Sequence, residues 1–402
     1  MKRNKHLIAL ACAVSLLALV PAANAQVRAP GEPPQPETAE AGLWQMLQEA
    51  EVQARRRSDR NNDPALNAYV SGLACKIAAS HCGDIRVYVM DRPVFNAAAG
   101  ANGYVEVWSG LLLRAETEDE VAFALGHEIA HFLEEHSYEA LRRQKIVSNT
   151  LMVVSLGVGA AGMYYQVDIS GVIDAAYLAG ISSFFSYSQS QESQADELGL
   201  KIADDVGFNP AAGPAIWMNL QAENRESSFR RVRNADASAS VFRTHPLTET
   251  RVQTLSEQAE VLGAQGTERE DRVRYRAIIR PYLAEWIEDE HRHRDFGRLL
   301  HLLDRLGKDG EDLGLLNYHK AEVYRRRREE GDDVLGLAAY RAAVAYPDVP
   351  VAAFRELGDL EIRAGNKMAA RDALNKYREL APDADDLWII EDQLARLEGD
   401  AK

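Results

Sequence analysis

The sequence predicts a predominantly helical α+β fold in two parts: a mixed domain with a small β-sheet, then an all-α repeat domain. Three observations predict it. Two short runs of period-two alternation lie between residues 85 and 109. A capped amphipathic helix with a histidine pair follows them. From about residue 270 the chain is highly charged and helical in pattern, with tetratricopeptide-like spacing. The 402 residues suffice for two domains, and 46% hydrophobic content can fill their cores. A net charge of −15 argues against nucleic acid as the main partner, because phosphate neutralisation needs clustered Lys and Arg. A mean hydropathy of −0.31 excludes a polytopic membrane protein.

Residues 1–25 read as a secretory signal peptide. Lys2, Arg3 and Lys5 precede an uncharged run from Leu7 to Val20, and Ala23-Asn24-Ala25 forms an A-x-A cleavage site. Cleavage after Ala25 and a periplasmic location are expected; the alternative is an uncleaved anchor. Pro30, Pro33, Pro34 and Pro36 make 26–40 an extended tether. Helices are expected near 41–58 and 63–80. Cys75 and Cys82, an even pair in an exported chain, suggest a disulfide; the alternative is two buried thiols. In a continuous helix their α-carbons would lie about 10 Å apart, beyond bridging. The helix is therefore expected to end near Ser80, with Gly83 permitting the turn.

Ile85, Val87 and Val89 alternate with Arg86, Tyr88 and Met90, and Tyr104, Glu106 and Trp108 with Val105 and Val107. Each run predicts a strand. Thr117 and Glu120 form a T-x-x-E capping box for a helix running to about His136. Residues 146–191 then carry only two charged side chains, Asp168 and Asp174. The two apolar arms there, 151–165 and 171–185, are short for membrane spans. Two readings stand: a pair of buried helices, or a mobile hydrophobic hairpin giving peripheral contact with membrane or substrate through 151–185. Polar residues 222–240 predict an exposed loop. The mixed domain is placed at 41–262 and the repeat domain at 270–400. Residues 351–384 fit one 34-residue repeat, with Leu357-Gly358, Gly365, Ala370, Leu374 and Pro382 in place. A looser unit covers 315–347 and a third helical pair 278–308; a generic helical bundle is the alternative.

His127-Glu128-Ile129-Ala130-His131 is H-E-x-x-H. Residues four apart share one helix face, so both imidazoles can bind one metal ion, with Glu128 placed to take a proton from the activated water. Zinc needs a third protein ligand. A metzincin would have Gly at 134 and His at 137; Glu134 and Ser137 stand there instead. Glu192 and Asp196, spaced i, i+4, fit better. Glu192 would bind zinc, and Asp196 would accept a hydrogen bond from the far nitrogen of a ligand His. The bland alternative is two solvated carboxylates on a polar face.

These residues resemble the HtpX and CAAX-prenyl-protease family of zinc metallopeptidases, gluzincins with H-E-x-x-H and a downstream E-x-x-x-D. More narrowly, the chain is similar to the periplasmic BepA-like members, which pair a peptidase domain with C-terminal tetratricopeptide repeats. The matching segments are Asn96-Ala97 through Val105, Gly126 to His131 with His136, Tyr187-Ser188 through Asp196, and Thr244-His245-Pro246 with Arg251. Gln189 and Gln194 depart from the family pattern. The resemblance implies a zincin-like domain over about 40–262, one zinc per chain, and peptide-bond hydrolysis with Glu128 as base. It makes His245 a candidate oxyanion donor, or a residue that blocks the zinc in the resting enzyme; a structural histidine is the alternative. His136 reads as structural or as a neighbour of the ligands. The strand at Tyr104 and Val105 is expected to pair with substrate as an added strand, giving broad specificity. Expected substrates are misfolded or stalled envelope proteins, with outer-membrane assembly machinery as a partner of the repeats. The alternative is a chaperone or adaptor with an idle or self-blocked site. The full set of His127, Glu128, His131 and Glu192 argues against a vestigial site.

Overall fold

The computed structural model describes residues 29–144, 187–233 and 249–399. The signal segment 1–25, both apolar arms within 151–185, and His245 with its neighbours lie outside these residues. Among the described residues, no helix is long and apolar enough to cross a membrane.

Helix α1 spans Ala39–Arg56, and Thr38 caps it by accepting from the Ala41 N–H. Helix α2, Pro64–Ala78, starts with Pro at its first position and Asp63 as cap. It ends where Ala79 takes φ +50°, and a 3₁₀ stretch, Ala79–Asp84, follows. This reversal brings Cys82 back over the last helical turn. A disulfide joins it to Cys75 across a Cα separation of 4.4 Å. The left-handed residue is thus Ala79 and not Gly83.

Three strands form the sheet: β1 Arg86–Met90, β2 Ala97–Ala99 and β3 Tyr104–Trp108. Their order is β1-β3-β2, with β1 parallel and β2 antiparallel to β3. This corrects the expectation for Tyr104 and Val105. They lie on the central strand, whose two backbone edges are both taken, so no further strand can add there. Alternation reveals a strand but not its neighbours. The outer edge belongs to β2. Asn96 O accepts from Trp108 N–H, and Gly100 N–H donates to Tyr104 O. Successive residues alternate direction, so Ala97 and Ala99 turn their backbone groups away from β3.

Helix α3, Ser109–Arg114, leads into α4, Glu118–Leu133. The Thr117 hydroxyl accepts from Glu120 N–H at 3.2 Å. The Glu120 carboxylate instead takes the N–H of Glu116 at 2.7 Å, one residue earlier than a capping box requires. Every residue from Glu120 to Phe132 is buried, so α4 runs through the centre of the domain. The chain does not continue helically to His136 as expected. Glu135 takes φ +52°, and α5, His136–Gln144, starts afresh. Helices α6, Gln189–Asp205, α7, Ala212–Arg225, a single turn α8, Arg230–Arg233, and α9, Glu249–Val261, complete this part. The expected loop from 222 is therefore helical to Arg225.

Eight more helices follow: α10 Arg269–Ile279, α11 Leu283–Arg292, α12 Phe296–Leu306, α13 Leu313–Arg327, α14 Asp332–Ala343, α15 Ala352–Arg363, α16 Lys367–Leu380 and α17 Leu387–Gly399. One apolar core runs from Leu66 and Val105 through Phe123 and Leu200. It continues to Tyr275, Trp286, Leu302 and Val323, across the stretch 262–270. Buried polar ties cross the same stretch: Tyr275 OH donates to Leu112 O at 2.6 Å, and Arg114 pairs with Glu223 and Glu290. Beyond it, smaller clusters around Tyr340 and Leu357, and around Leu374 and Ile390, hold the last helices.

Glu51 ties α1 to the sheet. Its carboxylate accepts from Arg86, Arg55 and the Tyr88 hydroxyl at 2.7–2.8 Å. Burial alone would raise its pKa, but these bonds outweigh burial and lower it from 4.5 to about 2. A depressed carboxylate adds stability above its unfolded pKa and loses it as pH falls through the folded value. Unfolding midpoints of the parent should therefore exceed those of Glu51→Gln near neutrality, with the gap closing between pH 4.5 and about 2. A gap constant over that window would contradict this role.

Candidate metal centre

Helix geometry places His127 and His131 on one face of α4, and α6 crosses beside them. The crossing is close because glycines meet. A Cβ on Gly126 would stand 2.7 Å from Gly199 O, and one on Gly199 would stand 2.6 Å from the His127 N. Only backbone fits between α4 and α6 here, which brings the side chains at 192 and 196 to the histidines.

Nε2 of His127 lies 3.1 Å from Nε2 of His131. Glu192 oxygens lie 3.5 Å from the first and 3.7 Å from the second. All three side chains are buried. Ligand atoms bonded tetrahedrally to zinc at about 2.0–2.2 Å sit roughly 3.3–3.6 Å apart. Two imidazole nitrogens and a carboxylate oxygen, converging at these separations, fit a zinc ion and leave a fourth position for water or substrate.

The far side of each ring is also held. Nδ1 of His127 is 3.0 Å from Asp196 Oδ1. Nδ1 of His131 is 2.8 Å from Nδ1 of His136, whose Nε2 lies 3.2 Å from Gln194 Oε1. The break at Glu135 lets His136 turn back to reach its neighbour. Tyr187 stacks on His131 with centroids 3.8 Å apart, and Trp217 stands edge-on to His127. Burial opposes charge on His127, but hydrogen bonds to Asp196 and Glu192 push its pKa up to about 10. Burial likewise opposes charge on Asp196, yet His127 and Arg251 hold its carboxyl below the ordinary value.

Glu128 points from the same helix toward the sheet. Its Oε2 accepts the Ala99 N–H at 3.1 Å, one of the groups that β2 turns outward. The carboxylate thus lies at the edge strand, one residue from a candidate ligand.

Arg251 was not singled out for a role by sequence reasoning. From α9 it reaches Glu192 at 2.9 Å and Asp196 at 2.7 and 2.9 Å. The signal was electrostatic: two buried carboxylates one turn apart need a cation. Gly199 was missed too, although a glycine inside a helical pattern, costing about 1 kcal/mol against Ala, marks close backbone approach.

The description "Peptidase family M48" matches residues 58–259. A Vibrio cholerae protein, named provisionally as a beta-barrel assembly-enhancing protease, is 30% identical over 203 residues, 49% of this chain and 40% of its own. The beta-barrel assembly-enhancing protease of Escherichia coli K12 is 25% identical over 195 residues, 48% of this chain and 38% of its own. The mitochondrial metalloendopeptidase OMA1 of Schizosaccharomyces pombe is 28% identical over 192 residues, 47% of this chain and 52% of its own. The matches thus span about half of this chain and 38–52% of these relatives.

Proposed function

The chain belongs to peptidase family M48, and from that premise we propose that it is a zinc-dependent endopeptidase with His127, His131 and Glu192 as ligands. The observation that carries the reading is the convergence of these three buried ligand atoms within 4.8 Å of one another. A bound zinc ion supplies Lewis-acid polarisation of the scissile carbonyl and lowers the pKa of water. The chain's own residues do the rest. Glu128 takes a proton from the attacking water and hands it to the leaving amine. Asp196 and His136 fix the orientation of the two ligand rings. Ala97 offers its outward backbone groups and Ala99 its outward carbonyl to an extended peptide, the Ala99 N–H being held by Glu128, so β2 replaces β3 as the substrate strand. Backbone pairing reads little side-chain identity, which suits many unfolded sequences. His245 keeps its two candidate roles, oxyanion donor or resting-state block.

The proposed substrates are misfolded or stalled envelope proteins in the periplasm, and the helices from Leu313 onward recruit them or an assembly partner as tetratricopeptide-like repeats. Two relatives named for β-barrel assembly support this choice. The test is cleavage of casein, an unfolded substrate, by the purified full chain. Cleavage should vanish with 1,10-phenanthroline and return with added zinc. Cleavage insensitive to the chelator would refute the zinc mechanism. A zinc-loaded chain that cleaves nothing, with or without His245→Ala, would refute the peptidase reading.

A further inference from the structure

We propose a second transition-metal site, built from Glu288, His291 and His319, where α11 meets α13. These residues each offer a ligand atom, all within 4.8 Å of one another. Glu288 and His291 stand three apart on α11 and so share a helix face. His319 projects from α13, and its Nδ1 lies 3.2 Å from His291 Nε2. Both rings are at least 97% buried. A single hydrogen bond between the two rings uses only part of their capacity, and His291 Nδ1 is buried with no hydrogen-bond partner among the described residues. Two imidazoles and one carboxylate suit zinc, nickel or copper better than calcium or magnesium, which prefer all-oxygen shells.

The third ligand has a competitor. Arg326 holds both Glu288 oxygens, at 2.9 and 3.0 Å. A cation here must share a Glu288 oxygen with Arg326, which holds both, and the guanidinium charge also repels the ion. This site is therefore weaker than the His127 site, and Arg326 sets its affinity. Its position gives it a consequence: α11 lies in the main core, and α13, which reaches that core through Leu316 and Val323, also joins the first repeat cluster through Ala321. A metal here fastens the repeats to the core.

The test is equilibrium dialysis of the full chain against zinc. The parent should bind two zinc ions, the tighter one at the His127 site. His127→Ala/His131→Ala should keep one, and His291→Ala/His319→Ala should lose the weaker one. Arg326→Gln should tighten the weaker one about tenfold, a gain that misfolding cannot produce. A parent that binds one zinc, lost in His127→Ala/His131→Ala, would overturn the second site while leaving the proposed peptidase centre standing. Weak binding unchanged by His291→Ala/His319→Ala and by Arg326→Gln would overturn it as well.

Discussion

Glu128→Gln is expected to lower peptide hydrolysis by about 10²–10⁴-fold while the metal stays bound. The glutamine side chain has the same length, and its amide oxygen can still accept the Ala99 N–H. What it lacks is a site for the proton of the attacking water. Glu128 is not one of the three converging ligand atoms, so its replacement leaves the donor set whole. The measurement is initial cleavage rate per bound zinc, with zinc content recorded for both chains. Equal rates would place the base elsewhere. Loss of zinc in the variant would make Glu128 part of the metal shell.

Arg114→Met is expected to destabilise the fold by about 3–5 kcal/mol, because it strands buried carboxylates. Arg114 is 3% exposed, and it bonds Glu223 at 2.9 Å and Glu290 at 2.7 Å. Glu223 comes from α7 and Glu290 from α11, so the guanidinium pins two elements to α3. Arg298 still reaches Glu223 at 2.8 Å, but among the described residues the ion-pair partner of Glu290 is Arg114 alone. Chemical denaturation checks the loss. Arg114→Met/Glu223→Gln/Glu290→Gln should recover part of it, since neutral amides cost less to bury than unpaired charges. A single-variant loss below about 1 kcal/mol, the scale of a surface pair, would contradict the pinning role.

How much of this was legible in the sequence depended on distance along the chain. His127 and His131 are joined by helical spacing on α4, and Glu192 and Asp196 by the same rule on α6. Their meeting is tertiary, and it depends on Gly126 and Gly199, which nothing local identifies as partners. Arg251 enters from a third helix. The break after Leu133 was hidden because Glu135, with no glycine beside it, takes the left-handed conformation. Strand β2 is three alanines, too short and too plain to alternate visibly. Without it β3 looked like an edge, and the substrate strand was assigned to Tyr104 and Val105. The charged, helical character from about residue 270 suggests a division there, yet Tyr275, Trp286 and Arg114 carry one packed and ion-paired interior across it. Composition reports where a chain turns polar, not what its flanks bury.

The central claim is that His127, His131 and Glu192 share one metal ion. Zinc-edge X-ray absorption of the purified chain, loaded with one equivalent of zinc, tests it most directly. The account predicts two imidazole nitrogens and carboxylate or water oxygen at about 2.0–2.2 Å. It also predicts that His127→Ala changes that spectrum, whereas His319→Ala leaves it unaltered. A shell without imidazole, or one that His127→Ala leaves untouched, would contradict it.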